Sequence, residues 1–543
     1  MRVRHSMVAT VLILLGCTRV FEQSIFEPVR GIILISIDTL RSDHLGSYGY
    51  SRDTSPNLDR FANRSVVFEN AFAQLPGTLP SHMTIFTGLY PAEHGVYPPG
   101  SILSQRIRTL PEVFAEQGFR TGGFTEGGYV SGEYGFARGF SSFSDEATGG
   151  ARDAEVTFER AEAFLGSVRD DERFFLFVHT YSVHDPYAPP EPFASRYWKE
   201  DPPGDAFRPT GPNFSAFNRK VERAVSSEAV KYFEARYDGG IRYLDSVLGT
   251  FLAYIEREGL LETSAVVITS DHGEEFYEHG RFAHEQAYRE LIQVPLIVRI
   301  PRLEPRRVEG VVELVDLAPT LTELAGIRMT GVFSGDSLLP ILATVPESPR
   351  VSSALVEGHV DPSQSIVTAS EGGLHQLIEF RPSGDGWHGK RVDFDSVRSG
   401  VSFESLSYHE PRSLEVRVDG KRSSVDQIRP DKWTRIGVTF PHGWKHRVTL
   451  LADSCHSPQE LGLSEDGRCL GFRIRGAATR RLELYDLRND PLSQHDLSAI
   501  EIDRARELLR ELNSRDFALA APPASDEVSP ELEQRLKALG YLQ

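Results

Sequence analysis

Asp38 closes the continuous apolar run Gly31–Ile37, and Asp271 and His272 follow a second apolar run at 265–269. A divalent cation needs oxygen or imidazole ligands converging from separate elements, and these three side chains supply such a set. Taken singly, an Asp at a strand end is equally a turn or helix-cap residue; the agreement between two sites points to a metal. Thr78 adds a hydroxyl, in the segment Pro76-Gly77-Thr78-Leu79-Pro80-Ser81-His82. Pro80 marks the first turn of a helix and puts Thr78 at its N-cap. Two readings stand together here. A capping threonine contributes about 1 kcal/mol and nothing more. A nucleophilic threonine uses the same geometry, because helix N–H groups attract a tetraoxyanion and a neighbouring cation lowers the pKa of the hydroxyl for in-line attack.

The elements that must position these residues are legible in the pattern of apolar runs. Runs at 31–37, 174–178, 265–269 and 294–300 alternate with helical patterns at 154–166 and 228–258, which predicts an α/β domain with a largely parallel sheet. Ligands of such sheets gather beyond the carboxyl ends of the strands, where Asp38 and Asp271 stand. After about residue 350 the texture changes to short alternating segments at 413–419, 435–440 and 447–451, expected to be antiparallel β structure, then helical patterns at 500–513 and 530–539. The expected layout is a signal at 1–17, a linker at 18–30, a catalytic domain at 31–345, a C-terminal subdomain at 346–500 and a helical tail at 501–543.

The 543 residues carry a formal charge of −18 with no basic stripe, which excludes an electrostatic grip on nucleic acid. At the N-terminus Arg2, Arg4 and His5 precede an apolar run at 8–15 that is too short to span a bilayer and reads as a secretory signal. The run ends in Leu14-Leu15-Gly16-Cys17, which resembles a bacterial lipobox. Cys17 is therefore expected to carry lipid and anchor an exported protein in the bacterial cell envelope, at the outer membrane or the periplasmic face. The alternative is a plain signal peptide with an incidental cysteine. The other two cysteines, Cys455 and Cys469, form a candidate disulfide or remain two thiols.

Several ordered motifs together resemble the sulfatase family of the alkaline phosphatase superfamily. They are Ile35-Ser-Ile-Asp-Thr-Leu-Arg-Ser-Asp-His-Leu-Gly46, the Thr78 segment, Phe177-Val-His-Thr-Tyr-Ser-Val-His-Asp-Pro186, Ser270-Asp-His-Gly-Glu274, Val294-Pro-Leu-Ile-Val298 and Leu484-Tyr-Asp-Leu-Arg-Asn-Asp-Pro491. The resemblance implies a large mixed, mostly parallel sheet flanked by helices, with a smaller antiparallel C-terminal subdomain. It implies one divalent metal ion held by Asp38, Asp271 and His272, with Thr78 at the nucleophile position and among the ligands. It also implies a substrate-contacting His184 and further active-site histidines at His279 and His284. Manganese, magnesium, calcium and zinc all suit such ligands, although an imidazole tilts the site away from an all-oxygen calcium cage.

Departures from the family narrow the chemistry. Ordinary sulfatases carry Cys or Ser at the Thr78 position, oxidised to formylglycine, with an Arg four residues on; here His82 stands in place of that Arg, and no formylglycine is expected. The usual Lys-Trp-His segment is replaced by Glu126-Gly-Gly-Tyr-Val-Ser-Gly132. A sulfated threonine is hard to clear, whereas a phosphothreonine is open to in-line attack by water, so the expected substrates are phosphate or phosphonate esters ahead of sulfate esters. The anionic group would sit on a glycan or a lipid headgroup. A phosphoglycerol- or phosphoethanolamine-type headgroup transferase, and an inactive glycan- or lipid-binding family member, are the alternatives. A β-rich insertion at about 381–480 holds Trp387, Trp433 and Trp444 and reads either as a carbohydrate- or lipid-binding module or as a passive lobe.

Overall fold

The structure, a computed structural model, describes residues 26–514 apart from short intervals, the longest of which is 453–471. Cys17, Cys455, Cys469, Trp433, Trp444, most of the linker and the tail beyond 514 lie outside the described residues.

Eight strands form the central sheet: β1 (Gly31–Ile37), β2 (Val66–Phe72), β3 (Arg120–Phe124), β4 (Ser142–Ser144), β5 (Phe174–Thr180), β6 (Ser264–Thr269), β9 (Gln293–Arg299) and β10 (Arg306–Glu313), with the short hairpin β7 (Glu275–Phe276) and β8 (Phe282–Ala283) outside it. Their order is β10-β2-β9-β6-β1-β5-β3-β4, and every neighbouring pair is parallel except the two that involve β9. β1 lies between β5 and β6, with Ile37 opposite Thr180 and Ser36 opposite Thr269. The carboxyl ends of three strands therefore open at one place, the placement expected for ligand-binding residues.

β1 is buried along its whole length because both faces of the sheet are covered. Ile32 and Leu34 face one core with Leu79, Met83 and Phe86, whereas Ile33, Ile35 and Ile37 face another with Phe158, Ile241 and Leu248. The helices that supply these layers are α1 (Pro56–Ala62), α2 (Thr78–Thr87), α3 (Pro91–His94), α4 (Leu110–Glu116), α5 (Asp153–Ser167), α6 (Gly211–Asn218) and α7 (Ser227–Arg257). α7 starts at Ser226, whose hydroxyl accepts the Ala229 N–H at 3.1 Å. α2 stops at Gly88, whose φ of 65° is the left-handed conformation that ends a helix most cheaply in glycine. Among the described residues no helix is long and apolar enough to cross a membrane.

Phe86 seats α2 on the sheet, its ring edge-on to Phe177 at 4.8 Å and to Phe136 at 5.1 Å, with no exposure. Phe86→Ala is expected to cost about 3–5 kcal/mol in urea unfolding, because α2 cannot close the void without leaving the sheet.

C-terminal to this domain, strands Ser352–Gly358, Ser363–Ser370, Gly373–Phe380 and Arg481–Asp486 form an antiparallel sheet, covered by a helix at Ile502–Ser514. The segment between Phe380 and Arg481 builds two further four-stranded antiparallel sheets, so the β-rich insertion is present as strands.

Candidate active site

Asp38 leaves the end of β1, Asp271 and His272 follow β6 after Ser270, and all three are fully buried. One ligand atom from each lies within 4.8 Å of the others. Asp38 Oδ1 and Asp271 Oδ2 are buried without a hydrogen-bond partner. An orphaned carboxylate oxygen costs several kcal/mol, and two buried carboxylates this close fit a cation far better than they fit each other. Burial, followed by the charge of Asp271, pushes the Asp38 carboxyl well above the usual carboxylate range, the response of a pair held together without a counter-charge.

The imidazole of His272 is already turned for this task. Its Nδ1 lies 2.8 Å from the Gly273 carbonyl, so Nδ1 carries the proton and Nε2 keeps its lone pair. Burial lowers its pKa to about 4, which keeps the ring neutral. Gly273 cannot carry a side chain, since a Cβ there would lie 1.9 Å from the Glu290 carbonyl oxygen. Among the described residues, the donor set of two carboxylates and one neutral imidazole fits a divalent cation.

Thr78 corrects one expectation. It is the first residue of α2 and not its cap: the N-cap is Gly77, and no side chain caps this terminus. The Thr78 hydroxyl instead lies 3.4 Å from His272 Nε2 and is 3% exposed. A threonine hydroxyl that meets the ligand triad and no backbone N–H at the helix start is released from the capping role that the sequence also allowed.

The histidines divide into groups. His284 sits over His272 with ring centroids 4.5 Å apart, and its Nδ1 is 3.2 Å from Glu274 Oε1. Burial opposes its protonation, yet the hydrogen bond and charge of Glu274 outweigh it and hold the His284 pKa above the ordinary value. His184 completes this row at 5.4 Å from the His284 ring, with Nδ1 donating to the Asp185 carbonyl at 2.9 Å. His82, one turn further along α2, has both nitrogens engaged, Nδ1 at 2.8 Å from the Thr78 carbonyl and Nε2 at 2.9 Å from Ser36 Oγ. Fully buried and held neutral by desolvation, it fixes the first turn of α2 from behind. His279 belongs elsewhere. It stacks on Tyr288 at 3.5 Å and its Nε2 is 3.2 Å from Glu290, in a cluster with Glu275 and Glu278.

His179, which sequence reasoning passed over, stands 3.2 Å from Asp38 Oδ2 through its Nε2 and is wholly buried. Its signal was available: it sits at the polar end of the apolar run 174–178, the same rule that singled out Asp38.

Glu126, at the head of the segment that departs from the family pattern, is 6% exposed and accepts the Tyr181 N–H at 2.8 Å. Burial lifts its carboxyl to about 7. A carboxyl raised on folding stabilises below its unfolded value of 4.5, and that contribution is lost as pH climbs toward 7. Glu126→Gln is therefore expected to raise stability at pH 8 by as much as about 3 kcal/mol, at about 1.4 kcal/mol per pKa unit, and to change little at pH 4. Urea melts at the two pH values check this.

A mostly parallel α/β sheet whose adjacent strands β1 and β6 together end in a carboxylate, carboxylate and imidazole triad beside a helix-borne hydroxyl defines an ester hydrolase of the alkaline phosphatase class. The sulfatase family model matches residues 30–327, and the chain belongs to the sulfatase family. Mouse iduronate 2-sulfatase is 26% identical over 379 residues, 54% of this chain and 68% of the mouse protein. An arylsulfatase of Clostridium perfringens is 24% identical over 378 residues, 57% of this chain and 78% of that protein. Among solved structures, one captured with its substrate D-glucosamine-2-N,6-O-disulfate has a TM-score of 0.59 at 18% identity, covering 91% of this chain and 99% of that one. The phosphonate monoester hydrolase of Agrobacterium radiobacter has a TM-score of 0.58 at 17% identity, covering 90% and 96%. The protein is thus a sulfuric or phosphoric ester hydrolase by family.

Proposed function

We propose that this chain hydrolyses phosphate or phosphonate esters, ahead of sulfate esters, through Thr78 at a site for one divalent cation. The observation that carries this reading is the Thr78 hydroxyl, which caps no helix and stands 3.4 Å from His272 Nε2. Asp38, Asp271 and His272 would hold the cation. When bound, it offsets the two carboxylates and the negative charge that develops at Thr78 and on the ester.

The residues of this chain do the rest. The first-turn N–H groups of α2 receive the ester oxygens, and His82 keeps that turn in place through the Thr78 carbonyl. Thr78 Oγ1 releases its proton to solvent and attacks phosphorus in line, and the bond to the leaving oxygen breaks. His284, protonated with help from Glu274, gives its proton to that oxygen, while His184 holds the leaving group on the same side. Water then gives one proton to the now neutral His284 as it attacks the phosphothreonine, the phosphorus–Oγ1 bond breaks, and Oγ1 takes a proton from solvent, which regenerates both Thr78 and His284. A sulfothreonine offers no comparable route, which is why phosphorus is placed first. The likeness to a phosphonate monoester hydrolase supports the fold side of this reading.

The same proposal has the protein exported and anchored through lipid on Cys17, where anionic esters of envelope glycans or lipid headgroups are within reach.

A panel of sulfate monoesters, phosphate monoesters, phosphodiesters and phosphonates, each under manganese, magnesium, calcium and zinc, tests the substrate side. Turnover confined to sulfates would overturn the phosphorus preference, and incorporation of an added alcohol in place of water would mark a transferase. Within that panel, His284→Ala is expected to lower kcat by about 10²–10⁴-fold for alkyl leaving groups and far less for nitrophenol, which departs without a proton. Equal losses on both would remove His284 from the acid role.

A further inference from the structure

Arg41 lies three residues beyond Asp38 and is buried, its side chain 3% exposed and engaged with Asp43, Glu274 and Glu278. We propose that Arg41 is a positioning residue that sets the spacing between the two ligand-bearing loops and so governs retention of the cation. The inference rests on reading Asp38, Asp271 and His272 as metal ligands.

The first loop runs 38–43 and the second 271–278. Arg41 grips its own loop bidentately, with Nε 2.9 Å and Nη2 2.8 Å from the two carboxylate oxygens of Asp43. Its remaining nitrogen, Nη1, reaches the second loop and donates to the Glu274 carbonyl at 2.9 Å and to Glu278 Oε1 at 2.6 Å. Glu274 lies two residues after His272 and carries His284, so this one guanidinium spans the metal triad and the histidine row.

Other ties hold the near ends of the loops. Leu40 N–H donates to Ser270 Oγ at 2.9 Å, Ser270 Oγ–H donates to the His272 carbonyl at 2.6 Å, and the Tyr237 hydroxyl accepts the Arg41 N–H at 2.9 Å while donating to the Thr39 carbonyl at 2.7 Å. Thr39 itself sits at a φ of 56°, a left-handed conformation unusual for a β-branched residue, which persists only where neighbours over-determine it. Arg41 braces the far end of the second loop, where none of those ties reaches. Lysine cannot substitute, because a compact ammonium on a flexible stem lacks the planar fork needed to hold a carboxylate bidentately and still cross to the second loop.

The test uses the full-length protein with Arg41→Lys, Arg41→Ala and Glu278→Gln. The dissociation constant for manganese is read by competition with a chromogenic chelator, alongside kcat, KM and the melting temperatures of metal-free and metal-loaded protein. Arg41→Lys is expected to weaken manganese by about 10–100-fold, the range found when groups that orient metal ligands are removed. Its kcat falls and recovers with excess manganese, and KM for the ester stays the same. Guanidinium ion at millimolar concentration restores part of the affinity of Arg41→Ala. If that variant does not fold, Arg41→Lys and Glu278→Gln, which removes one arm of the brace, carry the comparison. Manganese affinity within about twofold of wild type in both, with a lower melting temperature alone, reduces Arg41 to a structural ion pair and overturns the inference. A wild-type protein that binds no divalent cation would overturn the reading of the triad and this inference with it, whereas tight wild-type binding with unchanged variants overturns this inference alone.

Discussion

Thr78→Ala is expected to abolish turnover, with a fall in kcat of about 10⁴-fold or more on every ester the wild type cleaves, while unfolding free energy changes by less than about 1 kcal/mol. The two halves of that expectation follow from one fact. The Thr78 hydroxyl makes no cap, so removing it leaves α2 with its Gly77 start and its Gly88 stop, and alanine is a good residue for the first turn. What disappears is the oxygen beside His272 Nε2. Thr78→Ser should keep measurable activity because the nucleophile survives. Rapid acid quench of the wild type followed by mass spectrometry should show phosphate on Thr78, and its absence during turnover would place the attacking oxygen elsewhere. Undiminished activity in the alanine variant would dismiss the nucleophile outright.

Stripping divalent cations should be the second large effect. Activity should be lost on dialysis against a chelator and return with added metal. Saturation at 1,000 times the dissociation constant corresponds to about 4 kcal/mol of stability, read as a rise in melting temperature. The pH dependence has a definite sign. Without a cation, burial and Asp271 raise the Asp38 carboxyl far above its usual value, so the destabilisation that Asp38 contributes to metal-free protein is absent at low pH, where it is protonated folded and unfolded, and grows as pH rises toward the folded pKa. A cation demands both carboxylates charged and competes with that proton. The gain in melting temperature on adding metal should therefore grow from pH 5 to pH 8. A gain that shrinks over this range would mean that the ion binds away from Asp38 and Asp271. Asp271→Asn should reproduce the loss of metal without chelator.

Much of the site was legible because strand ends announce themselves: β1 and β6 are unbroken apolar runs, and the polar residues that follow each converge in space. Four strands of the same sheet were not. β2 carries Glu69 and Asn70 where its register with β9 and β10 shifts, β3 contains Gly122 and Gly123, β4 has three residues, and β10 bulges between Val308 and Val311. Bulges and glycines break the hydrophobic period on which strand recognition depends. Thr78 as a cap was the natural reading of its segment, since glycine caps helices less often than threonine and the preference for a side-chain oxygen carried the inference. His279 and His284 lie five residues apart and cannot be told from each other in sequence; the β7–β8 hairpin turns one toward Glu274 and His272 and leaves the other against Glu290 and Tyr288. His179 needed only the strand-end rule applied once more.

The sheet beyond the catalytic domain carries a consequence for how such a protein diversifies. Phe380 and Arg481 are directly paired across adjacent strands, so the polypeptide departs and returns at points about 5 Å apart. Any folded passenger whose own ends lie close together can ride at this port without altering a single hydrogen bond of the sheet that hosts it. The inserted lobe and the residues of the ester site are then separately heritable, and the first can be exchanged wholesale while Asp38, Thr78, Asp271 and His272 stay where they are.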